Sequence, residues 1–385
     1  GLDASISFDT LPRRRYTPKL EFDGISLQMG YYSGFLSGVA QLSMSDLLGN
    51  HSVNMFTDYV GSQEINNDLT FAVDYTYYGG RPTYSVTVFN WNQYFNDTSG
   101  TGPVGGYYPV GANQLTRGLI RSRQSGVLAD ATYPLDVYRR IELSYSFVDE
   151  TIEIAWPVSQ PQESSSTHLF KTAYVHDSLN NGLLGPTSGR RYYLSVGRTV
   201  VLTDGDRSFA HLEADYRHYS RLGRWSVLGL RAVGVGSLGP DGLHYNLGGP
   251  AWFLPFFPGY NLNVGPLRGF PYSEFSGSRV VLFNSEVRVP FIRNITFAWP
   301  GVFSIPAIDG SFFADLGGAW NGNQSLDLWP LQDPNVRTSP LDITARLHGS
   351  VGFGLLVYFL APMNFEFARR TDFKEFSDWR MHFSF

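Results

Sequence analysis

The sequence predicts an all-β fold: a 16-stranded antiparallel transmembrane β-barrel with one long loop folded into its lumen. Three observations carry that expectation. Segment after segment alternates apolar with polar or small residues at period two, and almost nothing repeats at helical spacing. Only 16% of the 385 residues are charged, against about 25% in a typical soluble domain, while the chain holds 29 Phe, 23 Tyr, 8 Trp and 41 Gly. No stretch approaches the roughly 18 to 20 consecutive apolar residues that carry a helix across a bilayer, and the longest apolar run, Gly354 to Met363, is about half that. A chain of this composition crosses a membrane with strands or not at all.

The alternation is explicit residue by residue. Ala210, Leu212, Ala214 and Tyr216 interleave with His211, Glu213, Asp215 and Arg217. Ile141, Leu143, Tyr145 and Phe147 interleave with Glu142, Ser144 and Ser146; Val281, Phe283, Val287 and Val289 with Asn284, Glu286 and Arg288; Met363, Phe365 and Phe367 with Asn364 and Glu366. A soluble sandwich turns its apolar residues inward, and a membrane barrel turns them outward. A sandwich of this length would coat its outer faces with Lys and Glu. Lysine is very rare here, and aromatics gather near strand ends as an interfacial girdle requires, so the apolar parity is assigned to the outside.

Taken in order, the strands are expected at 18–30, 35–45, 50–60, 69–78, 82–94, 115–130, 137–154, 166–176, 189–199, 206–219, 224–236, 279–290, 308–320, 344–359, 362–370 and 376–385. The even count is the one bacterial single-chain barrels use. The connections Gly79–Pro82 and Leu222–Gly223 are tight, whereas Asn96–Leu115, Ser159–His168, Ser237–Ser278 and Asn321–Pro340 are long, an asymmetry between the two rims that membrane barrels show. Residues 1–18, with Pro12, Arg13, Arg14, Arg15 and Pro18, read as a periplasmic lead-in, and 19–385 as the barrel.

Strand by strand, three places carry more than the pattern. In the first strand the apolar parity runs Leu20, Phe22 and then switches to Ile25, Leu27, Met29 across Asp23–Gly24, which marks a bulge; it reads equally as a weak seam or as a plain irregularity of closure. The last strand ends Trp379, Met381, Phe383, Phe385 on one parity, as expected where a barrel closes and offers lipid an unbroken apolar face. The segment 237–278 is rich in Gly and Pro around one arginine, Arg268. The inward parity of the strands that follow supplies Glu286 and Asp315, and a lumenal guanidinium, always charged and built as a rigid fork, calls for such acids.

Here the sequence resembles the outer-membrane protein-insertase superfamily of BamA, TamA, the two-partner-secretion transporters and the mitochondrial sorting-and-assembly barrel. The residues are Leu267-Arg268-Gly269-Phe270, similar to that family's sixth-loop tip; Asn284 to Phe291 and Phe312 to Trp320, similar to its twelfth and thirteenth strands; and Asp177 to Asn181 with Pro186 and Gly189, similar to the turn before its ninth. The resemblance implies a loop latch in which Arg268, Gly269 and Phe270 fold into the lumen and Arg268 pairs with Glu286 and Asp315. It also implies a C-terminal strand signal, a gate between first and last strands, and outer-membrane residence. The periplasmic repeat domains of that family do not precede the barrel in this sequence. Tyr16-Thr17-Pro18-Lys19-Leu20 followed by Asp46 to His51 is similar, less specifically, to barrels found behind TolB-type propellers.

Other classes find little to rest on. A net charge of −5 and one isolated Arg cluster give nucleic acid no basic surface, and zero cysteines exclude disulfides, thiolate metal sites and cysteine nucleophiles. The eight histidines show no His-Glu-x-x-His, His211 and His218 fall on opposite parities of one strand, and no Gly-x-Ser-x-Gly elbow occurs. No catalytic residue, metal or cofactor is expected. Inward charges of both signs (Glu142, Glu213, Asp215, Arg217, Arg231, Glu286, Arg288, Asp315, Arg346, Glu366) suggest a wet, mixed lumen rather than a selective ring. The expected function is assistance of protein insertion or translocation through a first/last-strand seam, with membrane lipid, protein partners and a client chain. The alternative is a non-catalytic anchor or pore for a periplasmic module or multi-protein complex.

Overall fold

The computed structural model describes residues 16–32, 35–61, 70–96, 119–156, 160–182, 185–223, 225–249, 264–271, 274–292, 295–298, 303–305, 307–334, 344–358 and 362–384. Among the described residues the main strands of the sheet run β1 Leu20–Tyr32, β2 Phe35–Asp46, β3 His51–Gly61, β4 Thr70–Tyr77, β5 Thr83–Asn96, β6 Leu119–Pro134, β7 Arg139–Trp156 and β8 Gln160–Asp177, after which a three-residue strand, Asn180–Gly182, joins the same sheet. The second half comprises β9 Gly185–Thr199, β10 Ala210–Arg221, β11 Val227–Leu238, β12 Arg279–Ile292, β13 Ala307–Trp320, β14 His348–Tyr358, β15 Pro362–Thr371 and β16 Arg380–Ser384. Each pairs antiparallel with the next, from β1–β2 through β15–β16. Among the described residues no ladder joins β1 to β16.

Exposure settles which parity faces out. Leu143, Phe170, Leu194, Val196, Phe312 and Met381 are all more than half exposed, while Val175, Val280, Asp315, Glu366 and Ala368 on the other parity are all but sealed. Polar residues on the sealed side meet each other and the loop, so burial there is compatible with charge. The structure places a register shift in β1 between Phe22 and Gly24, and Ser45 Oγ donates to Asp23 Oδ1 at 2.9 Å beside it.

Two local expectations are corrected. The connection expected as a long loop over Ser159–His168 is mostly strand, because Gln160 to His168 pair with β7 from Ile154 back to Phe147. Arg346, expected to face the lumen, sits in a three-residue parallel pairing of Thr344–Arg346 with Ser325–Asp327 and is exposed; β14 starts two residues later. Strand ends otherwise move by up to about four residues, as at β6, which runs to Pro134 rather than 130, and at β10, which starts at Ala210 rather than 206.

Candidate functional site: the arginine loop and its acids

Between β11 and β12 the chain makes a small antiparallel pairing, Tyr245–Leu247 with Phe275–Gly277, and residues 264–271, between these two strands, pack against the buried parity of the sheet. Leu267 is sealed in an apolar cluster with Phe209, Leu243, Leu247, Val280 and Leu282, all under 5% exposed. That packing holds the backbone of the next residue where its side chain reaches three strands. Two further ties fix the approach: Arg231 Nη2 donates to the Val264 carbonyl at 3.1 Å and Asn284 Nδ2 to the Pro266 carbonyl at 3.0 Å.

Arg268 is 4% exposed and Asp315, on β13, is 0% exposed. The guanidinium forks onto that carboxylate, Nε to Oδ2 and Nη2 to Oδ1 at 2.7 Å each, the parallel geometry that gives Arg–carboxylate pairs their strength. Nη1 donates to Glu286 Oε2 of β12 at 2.7 Å and, more loosely, to Glu366 Oε1 of β15 at 3.4 Å. The plane lies over the Phe313 ring at 3.5 Å from its centroid. Asn284 Nδ2 also donates to Asp315 Oδ1 at 2.8 Å. Three acids therefore converge on this guanidinium, and one of them, Glu286, also meets Arg288 Nε at 3.6 Å.

Gly269 takes φ +87°, and a Cβ there would stand 3.3 Å from the Ala368 Cβ, so both conformation and space favour glycine. Its N–H donates to His382 Nε2 on β16 at 3.2 Å, and its carbonyl accepts from Arg370 Nε on β15 at 3.1 Å. Phe270 is buried against Phe275, 5.2 Å between ring centroids, with the Arg370 guanidinium 4.7 Å from its own. On the outer face Trp379, Met381 and Phe383 are exposed, and Trp379 and Phe383 lean on Phe353 at 5.5 Å and Phe365 at 4.9 Å. Phe385 lies outside the described residues.

The structure thus brings Arg268, Gly269, Phe270, Glu286 and Asp315 to one place, and puts Asp23 and Gly24 at the other end of the strand order. Sequence reasoning had not joined Glu366, Asn284, Phe313 and His382 to this cluster. Parity offered a signal for Glu366, which shares the inward face of β15 with Asn364, and for His382, which alternates with Met381 and Phe383. Beside the cluster, Arg217 Nη2 and Arg231 Nη2 both donate to Asp215 Oδ2, at 2.7 and 2.8 Å, so the neighbouring wall reverses the ratio with two cations on one acid.

Residues 50–385 match the Omp85 superfamily domain. No curated protein sequence matches the chain. Among solved structures, the fold is similar to BamA from Haemophilus ducreyi lacking POTRA domains 1–3, at TM-score 0.60 and 15% identity over 96% of this chain and 70% of that one. It is also similar to CdiB from Escherichia coli, at TM-score 0.53 and 12% identity over 96% and 67%. The sequence match spans all but the first two strands, and on that ground the chain belongs to the Omp85 superfamily.

Proposed function

We propose that this barrel resides in the bacterial outer membrane and assists insertion or translocation of proteins through a seam between β1 and β16, with the Arg268 loop bracing the wall from inside. The observation that carries the reading is the contrast at the two ends of the strand order. β1 has 13 residues and a register shift, β16 has 5, and the described ladders do not join them. A strand edge facing lipid has to be paired, and it is a template for another strand, which is what a client would supply. Gly269 and His382 tie the loop tip to that same edge, so loop and seam form one mechanical unit. The residues before Leu20 serve as a periplasmic lead-in to the barrel.

The test is disulfide cross-linking in a chain with no native cysteine. Cysteines replace Ile25 and Met381, both outward and exposed. Loss of function on oxidation with recovery on reduction supports a working gate. Quantitative cross-linking with full function sinks it and leaves the anchor or pore for a periplasmic complex.

A further inference from the structure

The outward face of β5 to β8 changes character along one line. Val88, Val127, Phe147 and His168 pair in a row across four strands, and the next outward row is Asn90, Ser125, Asp149 and Ser166. Below that line the outward residues are Val86, Ala129, Tyr145 and Phe170; above it come Asn92, Arg123, Thr151 and Ser164. Strands β6 and β7 have 16 and 18 residues, well beyond the roughly 9 to 11 that span a bilayer, so they continue past the line as a polar extension. The line marks the depth at which hydrocarbon gives way to headgroups.

A cleft of about 580 Å³ opens outward across it. Phe71 and Phe147 form its sides, Val88 and Val127 its apolar floor, and Asn90, Ser125 and Arg123 its polar end. Arg123 stands opposite Asn92, yet its Nε donates to Asn90 Oδ1 at 3.0 Å, so the side chain bends back one row toward the apolar floor. A long cation at this depth would ordinarily extend away from hydrocarbon. Its neighbour Arg121 is taken by Glu153, whereas Arg123 makes no ion pair among the described residues and is exposed. Asp149, the nearest acid of the polar row, is engaged by Ser166 Oγ at 2.9 Å.

From this arrangement we infer that the cleft binds one phosphate-bearing membrane lipid, its phosphate on Arg123 and Asn90 and an acyl chain along Val88 and Val127 between the two phenylalanines. Charge and shape both select such a ligand: a guanidinium fork at headgroup depth, continuous with an apolar trough facing the bilayer. The inference rests on the membrane-spanning reading above, and the test separates the two.

The full chain is purified in an uncharged maltoside detergent, and bound lipid is counted by native mass spectrometry after adding phosphatidylglycerol, diacylglycerol or inorganic phosphate. The expected result is one retained phosphatidylglycerol, retention lowered roughly tenfold by Arg123→Ala, as for loss of a charge-assisted contact. Val127→Trp, which fills the trough and leaves the guanidinium, should lower it as well. Equal retention by Arg123→Ala, equal retention of diacylglycerol, or full competition by inorganic phosphate would each overturn the site. A chain that stays monodisperse without detergent would instead overturn the membrane reading itself.

Discussion

Replacing Arg268 by alanine removes the cation that three acids share at the loop tip, leaving Glu286 its looser pair with Arg288 Nε at 3.6 Å. Asp315, with no exposure at all, would keep only the Asn284 amide at 2.8 Å and the loop's own backbone N–H at 3.2 Å. Glu366, 2% exposed, would lose the cation it meets at 3.4 Å and face Asp315 with less compensation. Breaking a buried pair by deleting one partner costs about 3 to 5 kcal/mol, and the stacked Phe313 ring adds about 1 kcal/mol more. Since about 1.4 kcal/mol is a factor of ten, the open-loop population should rise by at least roughly a hundredfold. Urea unfolding in micelles, followed by heat-modifiable gel mobility, reads the loss as a lowered midpoint at constant slope. A cycle with Asp315→Ala and the double variant isolates the pair, with an expected coupling of about 2 kcal/mol or more. A midpoint within about 0.5 kcal/mol of the parent, or strictly additive costs, would refute the reasoning, because surface ion pairs behave that way and sealed ones do not.

Three further outcomes are expected. Gly269→Ala should destabilise the loop by about 1 to 2 kcal/mol, from a left-handed backbone angle and a 3.3 Å approach to Ala368, visible as faster protease nicking within 239–278. His382→Phe leaves the Gly269 N–H without its acceptor and should speed deuterium exchange at the loop tip, while His382→Gln, which can accept, should restore protection. In the turn before β16, the backbone N–H groups of Glu375 and Lys374 hold the Asp372 carboxyl below the usual carboxylate range. A depressed folded value means its stabilisation is present above the unfolded value of about 3.9 and is lost as pH falls through the folded one, so Asp372→Asn should flatten the acid limb of the urea midpoint against pH.

Much of this architecture was legible in the residues because a barrel wall obeys one rule at every step. Period-two alternation with rare lysine assigned the outward face of β10, β12 and β15, and the slip at Asp23–Gly24 coincides with the register shift in the structure. The parity of Asp315 and Glu286 followed from the same rule. What escaped lies where strand pattern ends. Arg346 obeys alternation within its own short run, but that run is a parallel pairing beside β13 and not part of the wall. Gln160 to His168 are too polar to resemble a lipid-facing strand, yet all but Gln162 pair with β7 across one register shift, since above the headgroups a strand needs no apolar face. Asn284 and Phe313 joined the arginine cluster through the path of the loop, a long-range fact that no local period encodes.

The sequence distances spanned by the loop tip set an order of events. Arg268 meets Glu286, Asp315 and Glu366 across 18, 47 and 98 residues, and Gly269 meets His382 across 113. Loop closure over such lengths is entropically unrewarded until the distant partner is already fixed in place. The tip can therefore make its first bonds once β12 and β13 are laid down, but the bond to His382 waits for the final strand. Placement of β16 beside β15 is registered at the loop tip, by a contact that exists only once both distant elements are in position.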